Sequence, residues 1–293
     1  MPSHAPLNFI LRRRSEPSAP MTFHLIRHLL LAVIVVALAS ASIANSEVTG
    51  AVEPQVITNG APAAPDLNAL VLAAIRTMPV GGRYSVASGA NRVLQAAVNV
   101  TSGGLAIDTS RAYPSYCSGA TYLVFLRAVQ HLVGSGSVSL DWATLAALGV
   151  RGQRDGVGIW GRWNANGPGT ARLFHELDLG RNLTDYEQAR AGDFMKILWT
   201  PHIGKDERGH SVIYLGRHMV AGVEHVRFWS SNQPFGYGEK SVPRTDIAHA
   251  IFSRFERSGN LARIKSVPER DEYLSRLLVV RSPLTEVWAM CGL

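Results

Sequence analysis

The run from Cys117 to Gly134 constrains this chain more than any other stretch. Leu123, Val124, Leu126, Val129 and Leu132 recur at helical spacing over a wide apolar face, so a helix here has to be deeply buried. Gly134 and Gly136 stop it. Its first residue is a cysteine, and the small residues Ser118, Gly119 and Ala120 follow directly. A thiol at a helix N-terminus meets unpaired backbone N–H groups and the positive end of the macrodipole. Both favour the thiolate, which is the nucleophilic form. A rigid, buried helix is the support that an oriented nucleophile needs.

Other elements can be set around that helix. Asp66 predicts an N-cap for a helix over Leu67 to Met78, ended by Pro79, Gly81 and Gly82, and Ser88 to Val98 predicts a second. Ser139 predicts a cap for Leu140 to Leu148, with Trp142, Leu145 and Leu148 inward, and Thr170 a cap for a short helix through Leu177. Residues 149–169 read as a loop bearing Trp160, Arg162, Trp163, Asn164 and Asn166. Such a loop supplies flat apolar faces and amide hydrogen bonds to a sugar or peptide ligand, although Trp in a loop is as often a plug over the core. It lacks the Lys-Ser/Thr ending of a phosphate loop, which excludes nucleotide binding there.

Further on, Ala191-Gly192-Asp193 is a turn, with Asp193 a turn residue, leading into a strand to Trp199. A polar loop, Pro201 to Arg208, precedes a second strand over Ser211 to Leu215. Val223 to Trp229 alternates as a third. Thr245 to Phe252 and Pro268 to Val279 read as helical. Helices followed by three successive strands predict an α+β fold, the cysteine helix packed on a small antiparallel sheet.

The chain has 293 residues, of which 46% are hydrophobic, enough for a sizeable core. Residues 1–44 read as a polar leader and a secretory signal peptide, with translation starting at Met21. His24, Arg27 and His28 precede the apolar run Leu29 to Leu38, and Ala39-x-Ala41 and Ser42-x-Ala44 match a small-x-small cleavage site. The run is short for a membrane span, which takes ~20 residues; a retained N-terminal anchor is the alternative to cleavage. A secreted or periplasmic protein with no stable membrane span is expected. Residues 45–65 read as a linker and 66–293 as a single domain. Of 29 basic and 22 acidic residues, the leader holds four and one; the remaining 25 and 21 leave a net charge of +4. Mild basicity suits an anionic partner such as a cell wall, and equally plain solubility. No nucleic-acid partner is expected. Without His-x-x-x-His or Cys-x-x-Cys spacing, neither a metal nor a cofactor is expected.

Cys117 and Cys291 are the two cysteines, and in an oxidising compartment a bridge between them is the rival explanation for Cys117. A cysteine hydrolase also needs a base, a group that orients the base, and oxyanion donors. Of the ten histidines, His210 alone starts a strand directly after a glycine, where its ring can project over a helix terminus. Phe228-Trp229-Ser230-Ser231-Asn232 is a polar end to the next strand.

In order, Tyr116-Cys117-Ser118-Gly119, Ala191-Gly192-Asp193-Phe194, Gly209-His210-Ser211-Val212-Ile213-Tyr214-Leu215-Gly216 and Ser231-Asn232 resemble the papain-like peptidoglycan hydrolases of the NlpC/P60 and CHAP type. The resemblance covers roughly residues 113–238. It implies a papain-like fold, Cys117 as nucleophile, His210 as base and Asn232 as orienting residue, with Ser230, Ser231 and Gln233 as alternatives for the last role. It also implies cleavage of an amide or peptide bond in peptidoglycan. Tyr116 replaces the acidic residue usual before the cysteine, and with Trp160, Trp163 and Asn164 it is expected to contact substrate. Two other functions remain open: a transglutaminase or deamidase acting on protein Gln, and a non-catalytic exported binding domain closed by a Cys117–Cys291 disulfide.

Overall fold

The computed structural model describes residues 66–101 and 104–293. The expected leader and signal peptide, and the linker up to residue 65, lie outside the described residues. In chain order the elements are α1 (Leu67–Ile75), β1 (Gly81–Gly82), α2 (Ser88–Ala97), β2 (Val98–Thr101), β3 (Gly104–Ile107), α3 (Cys117–Gly134) and α4 (Trp142–Ala147). They continue with α5 (Gly158–Asn164), α6 (Gly169–Leu177), β4 (Gly180–Leu183), β5 (Phe194–Leu198), β6 (Ile203–Gly204), β7 (His210–Val220) and β8 (Val223–Asn232). The last are β9 (Gly236–Pro243), β10 (His249–Phe255), α7 (Glu272–Arg276), β11 (Arg281–Ser282) and α8 (Leu284–Met290). The described residues fall within one compact unit.

Helix α3 is the centre of the packing. Every residue from Ser118 to Leu126 is buried, and the helix lies against α1, α5, β3, β7 and β8. The main sheet has the order β1-β9-β8-β7-β5-β10-β4, with every neighbouring pair antiparallel. The fold is therefore α+β with an antiparallel sheet, as expected, but the sheet is wider than three strands. Strand alternation sends Phe194, Ile213, Trp229 and Phe255 into the cluster around α3. Met195, Ile197, Val212, Tyr214, Phe228 and Phe252 form a second cluster. Phe125 of α3 stands 4.9 Å from the Trp163 ring and 6.2 Å from Phe194, in a cluster of aromatic rings that joins α3, α5 and β5.

Several predicted elements change. Thr245 to Phe252, read as helical, instead leads into β10, which pairs with both β5 and β4. Burial of Ala250 through Phe255 on both faces erases the alternation that marks a strand, and a short apolar run of that kind is ambiguous by periodicity. Pro268 to Val279 holds only the short α7, whose cap is Asp271, accepting from Leu274 N at 2.9 Å. Asp141, not Ser139, caps α4 through Thr144 N at 2.9 Å; with the helix beginning there, Trp142 faces solvent, 55% exposed. The 149–169 loop contains helix α5. Asp66 does cap α1, accepting from Asn68 N at 3.0 Å.

Asp193 is more than a turn residue. Its carboxylate is fully buried and takes two hydrogen bonds from the Arg254 guanidinium, at 2.9 and 2.8 Å. Asn68 Nδ2 and Arg190 N each donate to it at 2.8 Å. This cluster ties α1, the start of β5 and β10 together. A buried charge that loses its partner is strongly destabilising, so Asp193→Ala is expected to cost about 3–5 kcal/mol. Replacing both residues by apolar ones should recover much of that loss. Urea unfolding of the wild type and the two variants checks this; an unchanged midpoint for Asp193→Ala would disprove it.

Candidate active site

Cys117 is the first residue of α3. The preceding Tyr116 is the extended N-cap residue, and its carbonyl accepts the first helical bond, from Ala120 N at 2.9 Å. Cys117 is partly exposed as a residue and lies on the wall of a cavity of about 530 Å³. Both cysteines are free, so the bridge to Cys291 is not formed. Cys291 lies buried among Ala171, Leu198, Ile203, Ile251 and Val287, and burial pushes its thiol up to about 12.

His210 begins β7, within hydrogen-bonding reach of the Cys117 thiol. Its Nε2 lies 3.1 Å from Asn232 Oδ1. The amide of Asn232 has one orientation available, because its Nδ2 donates to Gly238 O at 2.8 Å and Ser230 O at 3.3 Å. The oxygen must then accept from the ring, which puts a proton on Nε2 and leaves Nδ1 for the thiol. The alternatives for the orienting role are committed elsewhere. Ser230 Oγ donates to Ser211 O at 2.7 Å, Ser231 Oγ accepts from Ser115 Oγ at 2.8 Å, and Gln233 is exposed. Trp199 lies over the imidazole, rings 6.4 Å apart and 26° from parallel, and Phe228 meets it edge-on at 5.7 Å.

The Gly-His pairing has a local cause. Gly209 adopts φ +73°, and a Cβ there would collide with Lys196 Cε and lie 3.0 Å from Ile197 O. Glu207, buried just upstream, fixes the loop by accepting from Trp199 N, Thr200 N and Gly209 N at 3.0, 3.0 and 2.7 Å.

Burial by itself would raise the Cys117 pKa. The hydrogen bond from His210, the charge of His210, the nearby Lys196 ammonium and the Ser211 N–H outweigh it and bring the thiol down to about 6. Two groups in this arrangement were not singled out from the sequence. Tyr84, beyond β1, lines the same cavity as Cys117 and is close enough for the two groups to perturb one another's charge. Burial, with the Cys117 charge, pushes the phenol well above its usual range, so it stays a donor. Nothing in Arg83-Tyr84-Ser85 marks it, because the contact spans a sequence gap bridged only by folding. Lys196 did carry a signal: a lone charge inside the apolar strand Phe194–Leu198.

Of the residues expected to contact substrate, Tyr116, Trp160 and Asn164 line the cavity with Cys117. Tyr116 Oη donates to Asn91 Oδ1 at 3.0 Å, and Asn164 Oδ1 accepts from Ser118 Oγ at 2.6 Å. Trp160 contributes little surface, being 1% exposed and packed 5.1 Å from Tyr122. Trp163 does not reach the site. The segment is helical, which turns Trp163 inward, fully buried, with Nε1 donating to Thr121 Oγ1 at 3.2 Å. It is the core plug. Among the described residues, no group of three His, Cys, Asp or Glu is placed to hold a metal ion, and no helix is long and apolar enough to cross a membrane.

Because the thiolate is the reactive form, alkylation of Cys117 by iodoacetamide is expected to rise with pH through a midpoint near 6 and level off above it. His210→Ala should move that midpoint upward, and Cys291 should stay unlabelled in the folded protein. Mass spectrometry of the two cysteine peptides reads this; a wild-type midpoint at the free-cysteine value of about 8.5 would rule out the activated thiol. Compared with protein-family models, with curated proteins and with solved structures, the chain matches none of them.

Proposed function

We propose that this protein is a cysteine hydrolase of the papain-like, NlpC/P60 or CHAP type, exported from the cell, that cleaves an amide or peptide bond in peptidoglycan. The observation that carries the reading is the imidazole of His210 held between the Cys117 thiol and Asn232 Oδ1. That is the arrangement a nucleophile, base and orienting group require. The free state of both cysteines supports it over the disulfide-closed binding domain. Peptidoglycan as the substrate rests on the sequence resemblance and the N-terminal apolar run.

In the reaction, the Cys117 thiolate attacks the scissile carbonyl carbon, and the C–O π electrons move to oxygen. The Cys117 backbone N–H at the start of α3 and the Tyr84 hydroxyl on the same cavity wall are the donors for that oxyanion. Protonated His210 gives its Nδ1 proton to the amide nitrogen as the C–N bond breaks, and the amine leaves. His210 then takes a proton from water, whose oxygen attacks the thioester and expels the thiolate. The carboxylic product departs and the enzyme is restored. Asn232 keeps the ring oriented throughout.

Incubation with cell-wall sacculi should release new amines with the wild type and none with Cys117→Ala or His210→Ala. Tyr84→Phe should lower kcat by about 10²–10³, the usual effect of losing one oxyanion donor. Equal release by all four proteins would refute the mechanism. Ammonia release from a glutamine peptide without turnover of sacculi would instead assign the thiol to side-chain amides.

A further inference from the structure

Lys196 is the one charged side chain on β5, a strand buried along its whole length, and only 4% of it is exposed. Among the described residues its ammonium makes a single long hydrogen bond, 3.4 Å to Ser211 Oγ, and no ion pair. An ammonium has three protons to donate, and a buried charge with most of them unused is costly. The nearby acids do not satisfy it. Glu207 is committed to three backbone N–H groups, and Asp155 accepts from Asn166 N at 3.0 Å. Arg208, next to Gly209, is exposed, and its guanidinium forms no ion pair among the described residues. Lys196 and Arg208 line the same cavity as Cys117, and Asp155 is the single acid on that wall. Two basic side chains therefore face the space in front of the thiol.

We propose that Lys196 and Arg208 form a carboxylate-binding subsite beside Cys117, so that the cleft takes peptides bearing a free carboxylate next to the amide that is cut. The subsite follows from the side chains on the cavity wall; the peptide as its ligand rests on the amide-hydrolase reading above. An incoming carboxylate would accept from the unused protons of Lys196 and from the Arg208 fork, giving the buried ammonium the partner it lacks. Burial raises the pKa of Asp155 and lowers that of Lys196, so an anion bound between Lys196 and Arg208 would restore the favourable state of the ammonium. A cavity of about 530 Å³ is large enough for a short peptide.

Alkylation of Cys117 tests the subsite without any assumption about the natural substrate. Iodoacetate and iodoacetamide react alike: the thiolate sulfur bonds to the methylene carbon and iodide leaves with the C–I electron pair. They differ in that one carries a carboxylate and the other its amide. In the wild type the iodoacetate rate is expected to saturate with concentration and to be inhibited by acetate. The two rates are compared on the Cys117 peptide by mass spectrometry. In Lys196→Met and Arg208→Gln saturation should be lost, and the iodoacetate-to-iodoacetamide ratio should fall about tenfold, as for one charge-assisted hydrogen bond. The ratio cancels any change in thiolate fraction. Lys196→Met nearly conserves volume, and Arg208→Gln lies at the surface, so the second variant carries the test if the first misfolds. A ratio unchanged in the folded variants, or a wild-type rate that never saturates, would overturn the proposal. A positive result with no cleavage of any acidic peptide would keep the subsite and discard the hydrolase reading. With turnover, a peptide acid should show a lower KM than its amide, and the two variants should abolish that difference.

Discussion

Helix α3 is apolar on nearly every side, and covering it determines where the rest of the chain can go. The helix packs against α1, α5, β3 and the central strands β7 and β8, and rings from α5, β5 and β10 close around Phe125. Its first turn opens on a cavity. The thiol of Cys117 is therefore carried by one of the most constrained elements in the molecule, with its freedom confined to its own side-chain torsion.

The second half of the site is delivered by the sheet with comparable rigidity. Glu207 holds three backbone N–H groups of the loop into β7, Gly209 turns with a positive φ where Lys196 passes, and His210 follows at the strand start. Across the β7–β8 pair, Asn232 is aimed by carbonyls of Ser230 and Gly238, so the imidazole tautomer is decided by backbone geometry two bonds away. The thiol itself is a contest between opposing terms. Burial favours the neutral form, and the imidazole with the Lys196 ammonium favours the anion; the second group wins. The same buried ammonium makes a single long hydrogen bond, which in the proposed subsite links activation of the nucleophile to selection of an anionic ligand.

The parts of this arrangement legible along the chain are those whose cause is local. Cys117 at the head of an apolar helical run, His210 after a glycine and Asn232 at a strand end each carry their signal in a few neighbouring residues, and the structure brings all three together. Trp163 and β10 were misread for the same reason: full burial removes the alternation or polarity that shows which way a side chain points. Tyr84 left no trace, because its role arises only when a segment 33 residues ahead of Cys117 folds against it. Lys196 was visible as an anomaly, a charge in a buried strand, whose meaning depends on what lies across the sheet.

By itself, the sequence determined that a buried helix would start with a thiol, that helices would precede an antiparallel sheet, and that a histidine would stand at the beginning of one strand. Those features follow from periodicity, capping and backbone permissiveness, which act over a few residues. Only the tertiary structure decided that Cys291 stays apart from Cys117, that Asn232 rather than its serine neighbours faces the ring, and that Tyr84, Lys196 and Arg208 share the cleft. Each of those outcomes is a distance between residues far apart in the chain, set by how a closely packed core closes around α3, and no local pattern encodes it.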